Sequence, residues 1–316
     1  MAALVVLGAV VVAEQGVRGR QDVLRHRAAQ VMEQALVQLK DARIAGGLPF
    51  SSDDVGKTGI IGEELTPLVT TLGSLAAKRM SLDPGLASLA VDLLRAVGVK
   101  EGDVIAVGFS GSLPGLNIAV LSAAHILKLD PIIISSVGAS QWGATEPHFT
   151  WLDMERVLFG RGVVPFRSTA AARGGGAKSN FLLEGGEALA AEVIRRNGLA
   201  ELTGRTFSEV VQRRLAIYLK GAGGRPIKAF VNVGGGAANL GRCDQSRIAP
   251  GIVRRLPPCN TGNEGLVHEF ARMGMPIIHL LQVQRLVRQY GVTLQRPAGG
   301  LSETRQNCPT GAAGCS

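Results

Sequence analysis

The sequence has no C-x-x-C pair, no Walker-type phosphate loop and no apolar run near the ~20 residues that a helix across a bilayer takes. Each absence removes a class of function. The four cysteines, Cys243, Cys259, Cys308 and Cys315, have no histidine at ligand spacing, so no metal site is expected. Disulfides stay open, and Cys308 with Cys315 would make only a local bridge within "NCPTGAAGCS". "DVGKTG", Asp54 to Gly59, has a lysine and a threonine but not the upstream glycine of a nucleotide loop, and no other motif names a cofactor. Aromatic residues are only 4% of the chain. The basic residues behind the net charge of +9 are scattered through "RGRQDVLRHR", "RRNG" and "QRRL" without aromatic interleaving, which argues against nucleic acid and leaves another kind of anionic partner.

What is abundant is glycine, 42 of 316 residues, in a chain that is 46% apolar, a balance that suits an α/β protein with tight turns after its strands. From about residue 83 strands and helices alternate. A helix through "GLASLAVDLLRAVG" is followed by the strand "GDVIAVGF", the helix "PGLNIAVLSAAHILKL" and the strand "DPIIISS". Helices near Glu184 to Asn197 and Phe207 to Leu219, the strand "PIKAFVNVGGG", a helix near Glu264 to Met273 and the strand "PIIHLLQV" continue the pattern. Fully apolar strands between helices predict a mostly parallel, doubly wound (Rossmann-like) sheet covered on both faces, in one body over 51–296. Residues 21–50 add an N-terminal helical extension: an amphipathic helix with Val23, Leu24, Val31, Met32, Ala35, Leu36 and Leu39 on one side, then a Gly/Pro linker. Residues 1–20 open with thirteen uncharged residues, read as a short, truncated membrane anchor in preference to an apolar first element of the core, and 297–316 read as a loosely ordered tail.

In such sheets ligands bind beyond the carboxyl ends of the strands. Three of the strands end in small residues and hydroxyls: "GFSGSLPGLN", "SSVGASQWG" and "NVGGGAANLG". The first admits three readings. As a nucleophile elbow, Gly108 to Ser112 lacks the final glycine of G-x-S-x-G; Ser110 or Ser112 would attack, with His279 as base and His268 as the other late candidate. As an anion cradle, Gly111, the two hydroxyls and Asn117 would hold a carboxylate, joined by Ser135, Ser136 and Ser140 from the second loop. Asn232, Gly234, Gly235, Gly236 and Asn239 would close the cradle from the third. The remaining reading is an ordinary strand-to-helix turn. In "EPHFTWLDMER", Trp142 and Trp151 would wall a pocket with Asp153 beside them, or Asp153 would instead cap a helix begun by Thr150.

"KTGIIGEELTPLVTTLGSLAAKR", "GFSGSLPGLNIAVLSAA", "ISSVGASQWGATEPHFTWLDMERVL", "FRSTAAARGGG" and "KAFVNVGGGAANLG" together resemble the poly-γ-glutamate system protein family, over about Lys57 to Tyr290. The resemblance implies an N-terminal hydrophobic anchor and a membrane-associated accessory role in making, exporting or processing a γ-linked glutamate polymer. Its implied partners are the polymer or a glutamyl intermediate, and the membrane subunits of the synthase. Beside that role stand two alternatives: a serine-dependent hydrolase or transferase on γ-glutamyl amide bonds, and a non-catalytic scaffold of the synthase complex.

Overall fold

Every residue of the strand Val104–Ser110 is buried, and so are the five C-terminal residues of its neighbour Asp130–Ser136. Such strands have no solvent face and must lie inside a sheet covered on both sides. The computed structural model describes residues 2–174, 181–260 and 262–294, with the side chains of 2–18 and 20 outside that description. The chain begins with helix α1 (Ala2–Ala45), strand β1 (Val69–Thr71), and helices α2 (Leu75–Met80) and α3 (Gly85–Ala96). Next come β2 (Val104–Ser110), α4 (Pro114–Ile126), β3 (Asp130–Ser136), β4 (Ala139–Ser140), α5 (Trp151–Gly160) and β5 (Ala170–Ala172). They are followed by α6 (Gly186–Arg196), β6 (Ala200–Glu201), α7 (Phe207–Ala222), β7 (Ile227–Val233) and α8 (Ala237–Leu240). The order ends with β8 (Gly251–Val253), α9 (Leu266–Arg272), β9 (Ile277–Leu280) and α10 (Val283–Tyr290).

Seven strands form one sheet in the order β6-β5-β3-β2-β7-β9-β8, parallel except for β8 against β9, and β1 pairs with β4 in a separate two-stranded ribbon. The fold is therefore α/β, doubly wound and Rossmann-like, as the alternation of elements predicts. Side chains alternate between two cores. Ile105, Val107 and Phe109 face the layer of α1, α3, α4 and α5, whereas Val104 and Ala106 face α7 and α9. After β2 the chain adds strands on one side, through β3 to β5 and β6, and then crosses back to place β7 on the other side of β2. This reversal is the topological switch point, at the β2 and β7 carboxyl ends, the place where sheets of this kind bind ligands.

The amphipathic extension joins the body directly. Ala28, Met32, Ala35 and Leu39 recur at helical spacing and are all fully buried, packed in the core shared with α3, α4 and α5. Burial of a side chain the size of Met32 or Leu39 stabilises by about 1.5–3 kcal/mol. Val23, by contrast, is exposed. Arg25 fastens α1 to α3 through Asp92 at 2.7 Å. The helix is continuous from Ala2, so the uncharged opening run and the amphipathic segment share one helical backbone, with the side chains of the run outside the described residues. Among the described residues no helix is long and apolar enough to cross a membrane. The proposed tail, with Cys308 and Cys315, lies outside the described residues, as do residues 175–180. Cys243 and Cys259 form a disulfide that closes the segment after α8.

Candidate functional site

The β2–α4 turn sits at the switch point, and its residues are held from both faces of the sheet. Ser110 and Ser136 are partners in the parallel register, so their side chains leave the same face. The Ser110 Oγ accepts the Ser112 N–H at 3.3 Å, and the Asn117 Nδ2 donates to the Ser110 carbonyl at 2.9 Å. Gly234 follows β7 with φ of +93°, and a Cβ there would run into the Ser110 Oγ. Glycine at this position lets the two loops touch. Gly235 beside it is exposed with open space around it, and Gly236 is half-buried, so the loop after β7 reaches solvent there. The Gly111 N–H is already donated to the Ser136 carbonyl at 3.0 Å, which leaves that amide unavailable to a ligand.

Beneath the turn is a buried polar chain. Asn239 lies over Gly108, where a Cβ would collide with its amide, and donates to the Asn232 Oδ1 at 2.8 Å. Asn232 donates one N–H to the Gly234 carbonyl and the other to the His279 Nδ1, both at 2.9 Å. The His279 proton is therefore on Nε2, which is buried without a partner. Burial lowers the His279 pKa to about 4. No hydrogen bond joins this histidine to Ser110 or Ser112, so the structure does not assemble the serine–histidine pair considered from the sequence. His268 lies elsewhere, accepting the Gly265 N–H at 3.1 Å on its Nδ1.

Two basic side chains bracket the turn, and among the described residues neither has a carboxylate partner. Arg214 reaches up from α7 and is only 1% exposed. Its guanidinium donates to the Ser136 Oγ at 3.1 Å and, weakly, to the Asn239 Oδ1 at 3.5 Å, while its Nε is buried with no partner. Desolvation pushes its pKa down, opposed by Tyr218. Lys78 approaches from the other face on α2, 4% exposed, and its Nζ contacts the Ser112 carbonyl and the Ser140 Oγ, the latter at 2.5 Å. Burial lowers the Lys78 pKa to about 7. Arg43 shows what a compensated buried cation looks like in the same chain: it donates to two carbonyls and lies 3.8 Å from Glu146. An unpaired buried charge costs several kcal/mol, and a guanidinium has five donors, so Arg214 is electrostatically incomplete as it stands.

The remaining sequence candidates separate from this cluster. Ser135 faces the opposite core and is fully buried, with its Oγ 2.7 Å from the Ser168 Oγ and 3.1 Å from the Trp151 Nε1. Ser168 in turn binds Glu155, whose pKa burial pushes up to about 7. Asp153 accepts the Thr150 N–H at 2.9 Å and pairs with Arg196 at 2.5 Å, so it caps α5 and anchors α6. Trp142 has a left-handed backbone, φ of +56°, and donates its Nε1 to Asp53 at 2.8 Å. A shallow groove of about 610 Å³ between α6 and β6, lined by Arg173, Glu192 and Glu201, is made by none of these residues.

Lys78 and Arg214, absent from the sequence candidates, thus become the main charged groups of the site. No protein-family model, curated protein or solved structure matches this chain.

Proposed function

We propose that this protein binds a carboxylate-bearing glutamyl ligand at the switch point, as an accessory protein in the synthesis, export or processing of a γ-linked glutamate polymer. The observation that carries the reading is Arg214: a buried guanidinium with an unpartnered Nε and, among the described residues, no carboxylate partner. A ligand carboxylate would complete it through paired charge-assisted hydrogen bonds. Ser110, Ser136, Asn239 and the Gly234–Gly236 loop would surround the ligand. A polymer with one free carboxylate per residue suits a chain of net charge +9. The choice of a γ-linked polymer rests on the motif resemblance.

On this reading residues 1–20 attach the body to the membrane beside the synthase subunits. The Cys243–Cys259 bridge favours an oxidising compartment, which suits a body on the outer side.

The test is calorimetric titration with γ-linked glutamate oligomers at two salt concentrations, with α-linked oligomers as comparator. Binding is expected to weaken as salt rises and to be lost in Arg214→Met. Oligomers that fail to bind at low salt, or that bind the variant as well as the wild type, defeat the proposal.

A further inference from the structure

The Lys78–Ser140 contact carries a chemistry that the anion site does not need. We propose that Ser140 is a nucleophile and Lys78 its general base, a serine–lysine pair that transfers an acyl group from an amide or ester to water. Nζ donates to the Ser112 carbonyl and to the Ser140 Oγ, the latter at 2.5 Å; once deprotonated, the amine can keep one N–H on the carbonyl and turn its lone pair to the Ser140 hydroxyl without moving. Reach of this kind between base and nucleophile is the first requirement of the mechanism.

Three further features favour the neutral amine. The described residues place no carboxylate in an ion pair with Lys78, in contrast to Arg43, Arg173 and Arg196. The side chain is almost fully buried, and burial alone brings its pKa to about 7. The amine also holds the carbonyl of Ser112, two residues before the first residue of α4, whose end carries no side-chain cap; a positive helix end disfavours an added positive charge. An amine with a pKa near neutrality is poised to take and return a proton.

Other serines at the site are less suited. The Ser110 Oγ accepts a backbone N–H and has no base on it. The Ser112 Oγ accepts the Ser140 N–H at 3.0 Å, which fixes the backbone of the nucleophile. Ser140 itself retains 8% exposure, and its neighbours Ser112 and Gln141 are half-buried, so the pair borders solvent.

The reaction balances with water as the only co-reactant. The Ser140 Oγ bonds to the carbonyl carbon as its proton passes to Nζ. The C–N bond of the amide then breaks, and Nζ returns the proton to the departing amine. Water attacks the Ser140 ester with Nζ accepting its proton, the ester C–O bond breaks, and the proton passes to Oγ, freeing a carboxylic acid. If the switch point holds a carboxylate as proposed above, the preferred substrate is a γ-glutamyl amide; that preference rests on the anion reading, whereas the pair does not.

The experiment uses a neutral activated ester, p-nitrophenyl acetate, and follows acylation of Ser140 by peptide mass spectrometry as pH is raised. The rate is expected to climb about tenfold per pH unit and level off above about pH 7, as for a single deprotonation. Lys78→Met should lower it by about 10²- to 10⁴-fold, and Ser140→Ala should remove the adduct. An unlabelled Ser140, a rate without the plateau, or equal labelling in Lys78→Met overturns the proposal. Should Lys78→Met fail to fold, the wild-type pH profile and Ser140→Ala decide it. Release of p-nitroaniline from γ-glutamyl-p-nitroanilide by wild type and Arg214→Met separates the two readings: acylation without γ-glutamyl preference removes the anion site and leaves the pair.

Discussion

Replacing Arg214 by methionine should have opposite effects on stability and on binding. In the unliganded protein the guanidinium is desolvated and lacks a counter-charge, so its removal relieves a penalty of several kcal/mol. Against this, Ser136 and Asn239 lose a donor, which costs about 1–3 kcal/mol together. Methionine fills a similar volume and adapts to an irregular space. The variant is therefore expected to equal the wild type or to exceed it by up to about 3 kcal/mol. At about 2.1 cal/mol/K of unfolding entropy per residue, 316 residues convert 3 kcal/mol into a rise of about 4–5 °C in Tm. Ligand reverses the order: at a hundred times Kd the wild type gains about 2.7 kcal/mol, and a variant with a hundredfold weaker site gains about 0.4. Differential scanning calorimetry with and without γ-linked glutamate oligomers reads both effects. A loss of more than about 3 kcal/mol without ligand, with the ligand-induced shift unchanged, would refute the reasoning, because Arg214 would then be a structural donor.

The other predictions concern groups whose environments are equally specific. Glu155 is raised by burial to about 7, so between its ordinary value and about 7 the folded state holds a proton the unfolded state has lost, and stability falls by about 3 kcal/mol as pH rises through that window; Glu155→Gln should flatten that segment of a denaturation-versus-pH curve. Lys78 has the opposite consequence. Its pKa is depressed from 10.5 to about 7, so stability rises with pH across that interval by about 4–5 kcal/mol, and Lys78→Met should remove the rise. Gly234→Ala combines a left-handed φ with a collision against Ser110 and should cost about 3 kcal/mol or more, whereas Gly235→Ala meets open space and should change urea midpoints little. Reduction of Cys243–Cys259, sixteen residues apart, should cost about 3 kcal/mol and raise amide exchange in the enclosed loop.

The central sheet was legible because its strands carry their own burial signature. β2, β3, β7 and β9 are short apolar runs, and the observed spans fall on "VIAVGFS", "DPIIISS", "IKAFVNV" and "IIHL". The short outer strands were not legible. β5, β6 and β8 have only two or three residues, too few for a period, and exist because a neighbour offers a hydrogen-bonding edge. Asp153 behaved as the Thr150 spacing predicts, as a cap. Ser135 shows a limit of loop reasoning: it stands next to Ser136 in sequence, but strand alternation sends the two hydroxyls into different layers.

The cations were missed because "LAAKRM" and "QRRL" look like solvated helix surface. A phase argument would have found Arg214: Phe207, Val210, Val211 and Tyr218 define the buried stripe of α7, and Arg214 lies on it while Arg213 turns outward to Glu209. Trp151, Leu158 and Glu155 repeat the pattern on α5. In-phase charge alone does not name a function, and the response to burial separates the cases. Glu155 can take up a proton and retain two hydrogen bonds from Ser168, so it needs nothing from outside the chain. Lys78 can lose its proton, and in doing so gains a lone pair for the hydroxyl beside it. Arg214 can do neither, because a guanidinium stays charged at any pH at which a protein folds. An anion would complete it, and the described residues supply none there, so the proposed binding site is built on Arg214 and the proposed proton transfer on Lys78, on the two sides of one turn.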